Sequence, residues 1–172
     1  MPSKNYYAIM VKIGLVSDTH GFIDEKLIEF FKDVDEVWHA GDIGDMEVIK
    51  GLRAHKEVRA VFGNIDDSGM RNLFPEHNRF KVEGTDVWIT HIGGYPGRYD
   101  KKVKALIYSN PPKLFISGHS HILKVMYDER LNCLHINPGA YGKSGMHVVR
   151  TAVRFEIDNG NIKNLEVLEV KK

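Results

Sequence analysis

Leu15-Val16-Ser17-Asp18-Thr19-His20-Gly21 closes an apolar run, Val11 to Val16, with a carboxylate, an imidazole two residues later and a glycine that lets the chain turn away. The run reads as a buried strand. Side chains alternate along a strand, so an acid and a base two apart at its carboxyl end are expected on one side. They would face the crevice where open α/β sheets bind ligands. An oxygen donor beside a nitrogen donor suits a divalent cation. Alone, Asp-x-His is a weak signal, since the same residues can form a helix cap beside an exposed imidazole. What recurs downstream decides the matter.

Two further apolar runs end the same way. Glu36 to Ala40 stops at Gly41-Asp42, and Val58 to Phe62 stops at Gly63-Asn64-Ile65-Asp66. Between them the spacing predicts a helix over Glu25 to Lys32, capped by Asp24, and another over Asp45 to His55, where Asp45 is the cap. Beyond Pro75 the alternation changes. Arg79 to Val82 and Asp86 to Thr90 flank Glu83-Gly84-Thr85 as a hairpin that delivers His91 ahead of a flexible Gly93 to Gly97 loop. Tyr99 to Tyr108 reads as a helix closed by Asn110-Pro111-Pro112. Leu114 to Ser117 is a strand ending Gly118-His119-Ser120-His121. Strands then follow at Leu123 to Tyr127, Leu131 to Ile136, His147 to Ile157 and Ile162 to Val170, so the second half is mostly antiparallel. No repeat or linker divides the chain, which reads as one domain over residues 1–172, with 1–9 an extension ahead of Met10.

Composition narrows the function. The chain has 172 residues, enough for one sizeable core, and 24 basic residues balance 23 acidic ones. That balance argues against a protein built to grip long nucleic acid or an anionic membrane. Cys133 is the only cysteine, so an intramolecular disulfide and a thiolate metal cluster are both excluded. No segment has the length and apolarity of a spanning helix or the cleavage site of a signal peptide, and the expected location is cytoplasmic.

Five strand ends thus present Asp18 and His20, Asp42, Asn64, His91, and His119 with His121. In a sheet whose strands run mainly one way, these ends lie along one edge and gather seven donors. Carboxylate, amide and imidazole without sulfur suit manganese foremost, or iron, nickel, cobalt or zinc, better than magnesium or calcium. Seven donors are too many for one tetrahedral ion and divide over two if a carboxylate bridges. Two dications against two carboxylates leave a surplus of positive charge, and the neutral Asn64 amide preserves it. Two ions ~3.5–4 Å apart can hold a bridging hydroxide in line with a phosphorus atom, which points to phosphate-ester hydrolysis.

The segments Asp18-Thr19-His20, Gly41-Asp42, Gly63-Asn64-Ile65-Asp66, His91 and Gly118-His119-Ser120-His121 resemble, in order, those of the calcineurin-like metallophosphoesterases. Ile136-Asn137-Pro138-Gly139-Ala140 is similar to a segment of the small prokaryotic phosphodiesterase branch, which also includes the retromer scaffold subunit. The resemblance implies an α/β fold, a sandwich of two mixed parallel and antiparallel sheets with helices outside. It also implies one metal at Asp18, His20, Asp42 and His121 and a second at Asp42, Asn64, His91 and His119, Asp42 bridging. Ile65 stands where protein phosphatases of the family carry a histidine that protonates the leaving group, which argues against a phosphoprotein substrate. Asp42 and Asn64 are the expected catalytic residues, with Asp66, Asp67 or a metal-bound water as the candidate proton donor.

The expected substrate is a small phosphodiester, or also a monoester; a homo-oligomer is compatible with the sequence. The competing reading is a non-catalytic protein-binding scaffold on the same fold. A nuclease on long DNA lacks a basic surface. His55, His77, His135 and His147 read as core or surface residues, and His39 as a residue that orients a ligand. Arg98, Lys101, Lys102 and Lys104 read as a solvated helix face before a phosphate-binding one, and Tyr95 and Tyr99 are candidates to stack on a nucleobase.

Overall fold

The computed structural model describes residues 10–172; the expected extension over 1–9 lies outside them. The elements in order are β1 (Val11–Val16), α1 (Glu25–Phe30), β2 (Glu36–His39), α2 (Met46–Arg53), β3 (Glu57–Ala60), α3 (Ser68–Leu73), β4 (His77–Val82) and β5 (Thr85–Thr90). The two-residue strands β6 (Gly94–Tyr95) and β7 (Arg98–Tyr99) follow, then α4 (Lys101–Ser109), β8 (Leu114–Ile116), β9 (Leu123–Asp128), β10 (Cys133–Pro138), β11 (Val149–Asp158) and β12 (Asn161–Lys171).

They form two five-stranded sheets. The first runs β12-β11-β1-β2-β3 and the second β4-β5-β8-β10-β9. Each is built on three parallel strands, β1-β2-β3 and β5-β8-β10 respectively, with antiparallel strands added outside. This is the two-sheet sandwich that the family resemblance implied. It differs from the single strand-end edge expected from the β-α alternation, because the chain leaves the first sheet after β3 and builds a second one.

Period-two alternation explains the layering. Ile13, Leu15, Trp38 and Ala40 of the first sheet face Val87, Ile89, Leu114, Ile116 and Ile136 of the second in one central core. Trp38 meets the Phe80 ring edge-on across that gap, at 5.1 Å between centroids. Their neighbours point outward. Val16, Val37 and Ala60 pack on Leu27, Phe31, Ile49 and Leu52 of the α1 and α2 segments, while Trp88, Phe115 and Cys133 pack on Val103 and Ile107 of α4. Strands buried on both faces read as continuous apolar runs, which is why they were legible.

Helix caps behave as expected. Asp24 and Asp45 each accept a backbone N–H in the first turn of α1 and α2. The predicted helix from Tyr99 starts later, at Lys101 with Asp100 as cap, because Tyr99 belongs to β7. The Gly93 to Gly97 stretch is a tight hairpin and not a free loop; Ser117 Oγ donates to the Gly94 carbonyl and Asp100 N–H to that of Gly93. The short α3, capped by Asp67, has no counterpart in the sequence reading, since one apolar face residue in six carries no period.

Candidate metal centre

The parallel strands of both sheets end at the same rim of the sandwich, and backbone hydrogen bonds stitch their loops together. Asp18, His20 and Gly21 donate in succession to the carbonyls of Gly41, Asp42 and Ile43, and within the second sheet Gly118 donates to the His91 carbonyl. The Gly142 and Tyr141 amides reach Asp18 and Ser17. These contacts hold an unusual backbone. Asp18, His20, Asp42, His119 and His121 all sit at φ between +47 and +69°, the left-handed region that costs a side-chain-bearing residue about 1–2 kcal/mol. Asp18 and His20 therefore converge because both are in left-handed turns beyond the end of β1, and not by strand alternation as the sequence suggested.

Two clusters of donors result. Asp18, His20 and His121 offer ligand atoms all within 4.8 Å of one another, and Asp42, His91 and His119 do the same. Asn64 joins the second cluster, its Oδ1 3.1 Å from His91 Nε2. Asp42 faces both: Oδ1 is 3.2 Å from His91 Nε2 and Oδ2 is 3.8 Å from His20 Nε2. Asp18 is likewise divided. Its Oδ2 accepts Ser17 Oγ–H at 2.6 Å and the His119 amide at 3.1 Å, while Oδ1 lies 3.2 Å from His121 Nε2.

The donors fit divalent cations. Asp18 Oδ1 and His20 Nε2 are buried with no hydrogen-bond partner in the protein, which buried polar atoms rarely tolerate. His91 Nδ1 must carry a proton, since it donates to the Ala40 carbonyl at 2.8 Å; its Nε2 is thereby the nitrogen turned to the cluster. Close packing also explains two of the glycines. A Cβ on Gly63 would lie 2.1 Å from Asp42 Oδ1, and one on Gly118 2.1 Å from Ser17 Oγ.

Charge pairing tunes the group. Burial pushes the Asp42 carboxyl up, but the His91 hydrogen bond and charge outweigh it and hold the carboxyl below its ordinary value. The adjacent Asp18 carboxylate raises His121 above its ordinary value, against burial. His39, fully buried, is pushed down to about 4 by desolvation and stays neutral. It accepts the Gly41 amide at Nδ1 (3.2 Å), so Nε2–H donates to Thr19 Oγ1 (2.9 Å), and Thr19 donates to the Ile43 carbonyl. This ties the Asp18 loop to the Asp42 loop, the orienting part expected of His39.

Asp66 is placed differently from the sequence expectation. Its carboxylate accepts three backbone N–H groups, from Ile43 (3.1 Å), Gly44 (2.8 Å) and Gly63 (2.8 Å). It clamps the Asp42 loop to the Asn64 loop and has no proton to give in that role. Arg71 braces the same turn through the carbonyls of Asp66, Gly63 and Asn64. Asn137 holds the histidine loop, donating to the Gly118 carbonyl and to Ser120 Oγ. His147, expected as a core or surface residue, lies partly buried with its ring 5.3 Å from that of His121. Tyr99 is core, with its hydroxyl on Asp128, and is not a stacking platform. Lys102 pairs with Glu76 at 3.1 Å.

Residues 11–160 match the family model of the calcineurin-like phosphoesterase superfamily domain. The chain is 29% identical over 134 residues to a probable metallophosphoesterase of Methanothermobacter thermautotrophicus, covering 74% of this chain and 76% of the relative. Its fold is similar to Vacuolar Protein Sorting 29 from Cryptosporidium parvum, at 15% identity and TM-score 0.73, over 95% of this chain and 99% of that one. It is similar to an archaeal phosphodiesterase at 24% identity and TM-score 0.71, over 91% and 99%.

Proposed function

Because the chain belongs to the calcineurin-like phosphoesterase superfamily, we propose that it is a dinuclear metal-dependent phosphodiesterase of small substrates, active also on some monoesters. The observation that carries this reading is the meeting of two donor clusters at Asp42, whose carboxylate oxygens face different imidazoles. Asp18, His20, Asp42 and His121 would hold one ion, and Asp42, Asn64, His91 and His119 the other. The oxygen and nitrogen donors suit manganese, with iron, cobalt, nickel or zinc as substitutes. Bound divalent ions supply Lewis acidity and a water nucleophile that ionises near neutral pH.

The chain's own residues do the rest. Asn64 adds a neutral donor, so only Asp18 and Asp42 offset the metal charge and the centre retains an attraction for a phosphate anion. The left-handed turns and the Asp66 clamp keep the donors from relaxing when substrate binds. Ile65 replaces the histidine of the family's protein phosphatases, and Asp66 is committed to three amides, so neither serves the leaving group as an acid. Esters with good leaving groups therefore react fastest.

Metal-free protein supplemented with manganese should hydrolyse bis(p-nitrophenyl) phosphate, and Asp42→Ala should abolish the turnover. Protein carrying two ions yet inert toward mono- and diesters alike would overturn this reading and favour a protein-binding scaffold. Among the described residues no helix is long and apolar enough to cross a membrane. A cytoplasmic site of action, independent of membranes and long nucleic acid, belongs to the same proposal.

A further inference from the structure

Beside the second cluster, His119 and Ser120 wall a recess of about 230 Å³, most of whose other polar groups belong to segments the metal donors do not use. Tyr95 and Arg98 reach it from the β6–β7 hairpin, Lys124 from β9, and His135 and Asn137 from β10. Lys124 Nζ stands 3.6 Å from the centroid of the Tyr95 ring, which fixes the ammonium over the aromatic face. The ion pairs among the described residues use other cations, so Lys124 and Arg98 line the recess without a carboxylate partner. Asp100, the acid in the wall, is engaged in capping α4 through the Lys102 amide at 2.9 Å.

His135 adds a second, independent observation. It is fully buried, and neither ring nitrogen has a hydrogen-bond partner. Buried polar groups are nearly always paired, so an orphaned imidazole lining a recess marks a place where an occupant completes the bonding. Two unpaired cations, a stacked tyrosine and a donor-acceptor ring together describe a pocket for an anion. The volume falls below the ~300–1,000 Å³ of sites for drug-sized ligands, so the anion sits on a short arm.

We propose that this recess binds one arm of the diester substrate, a short arm carrying its own anionic group, a carboxylate or a second phosphate. The proposal rests on the phosphoesterase reading and specifies its substrate class. Lys124 and Arg98 neutralise the arm's charge while the scissile phosphate lies at the centre that His119 helps to form, so discrimination lies in the second charge and not in a nucleobase.

Calorimetry on the manganese-loaded protein tests it with 3-phosphonopropionate, 1,2-ethylenediphosphonate and uncharged-arm propylphosphonate. At least one doubly anionic probe should bind about tenfold more tightly than propylphosphonate, the worth of one charge-assisted contact. Which of the two gains more separates a carboxylate arm from a phosphate arm. Lys124→Ala, a change on a partly exposed strand, should bring the ratio near one, and Lys104→Ala, outside the recess, should preserve it. A ratio near one in the native protein, or one untouched by Lys124→Ala, overturns the proposal. Turnover of bis(p-nitrophenyl) phosphate, measured in parallel, separates the failures. Turnover without preference sinks the recess alone, and preference without turnover of any ester sinks the phosphoesterase reading and the recess as a substrate site with it.

Discussion

Replacing Asp66 by asparagine asks whether this carboxylate donates protons or holds the loops. Oδ2 accepts the amides of Ile43 and Gly63, and Oδ1 that of Gly44. An asparagine amide can place its oxygen on one side only. In the better orientation it keeps the two bonds at Oδ2 and turns an NH2 toward the Gly44 N–H. The partly buried Gly44 donor then loses its acceptor, at about 0.5–1.5 kcal/mol, and the other two lose their ionic character. A loss of about 2–3 kcal/mol in a chain of this length should lower the melting temperature by about 4–12 °C. The clamp joins the loops that carry Asp42 and Asn64, so affinity for the second metal should fall by about 10–100-fold. The assays are thermal melts of the metal-free protein, metal titration, and turnover of diesters with good and poor leaving groups. A loosened centre slows all of these esters alike. A melting temperature within about 1 °C of the native value, with activity lost only on poor leaving groups, would refute the clamp and restore Asp66 as a proton donor.

Three other outcomes follow from the geometry. Gly63→Ala drives a methyl to 2.1 Å from Asp42 Oδ1 and must displace that loop, so activity should drop by about 100-fold for a stability cost of about 1–3 kcal/mol; a near-native rate would refute the contact. Asn64→Asp adds a negative charge to the centre and should raise KM for an anionic diester by roughly tenfold with little change in melting temperature. Burial pushes His135 down to about 4, so the unfolded chain takes up a proton between its ordinary value and that point while the folded chain does not. Its contribution to stability is present above about pH 6.5 and is lost as pH falls toward 4, amounting to about 3 kcal/mol. Urea midpoints measured at pH 7 and 4.5 should converge in His135→Leu relative to the native protein, and equal acid sensitivity would contradict the assignment.

Much of the site was legible in the chain because its signals are local. Apolar runs such as Leu114 to Ser117 are buried on both faces, and three of the five donor-bearing ends are announced by a glycine whose Cβ would collide with a neighbouring loop, at Gly41, Gly63 and Gly118. The roles that spacing hides share one cause. Asp66 is two residues from Asn64 and looks available in sequence, yet its partners Ile43 and Gly44 lie more than twenty residues away. His147 resembles any surface histidine until β11 brings it against His121.

The sequence by itself determined the donors, their order, the parallel β-α beginning and the antiparallel end, since side-chain period and turn chemistry act over a few residues. Only the tertiary structure decided that two sheets share the strand ends. The same holds for the left-handed turns that aim Asp18, Asp42, His20, His119 and His121, and for the meeting of Lys124, Arg98 and His135 around one recess. Those features are set by hydrogen bonds and packing between segments far apart in the chain, and the spacing of residues along it carries no record of them.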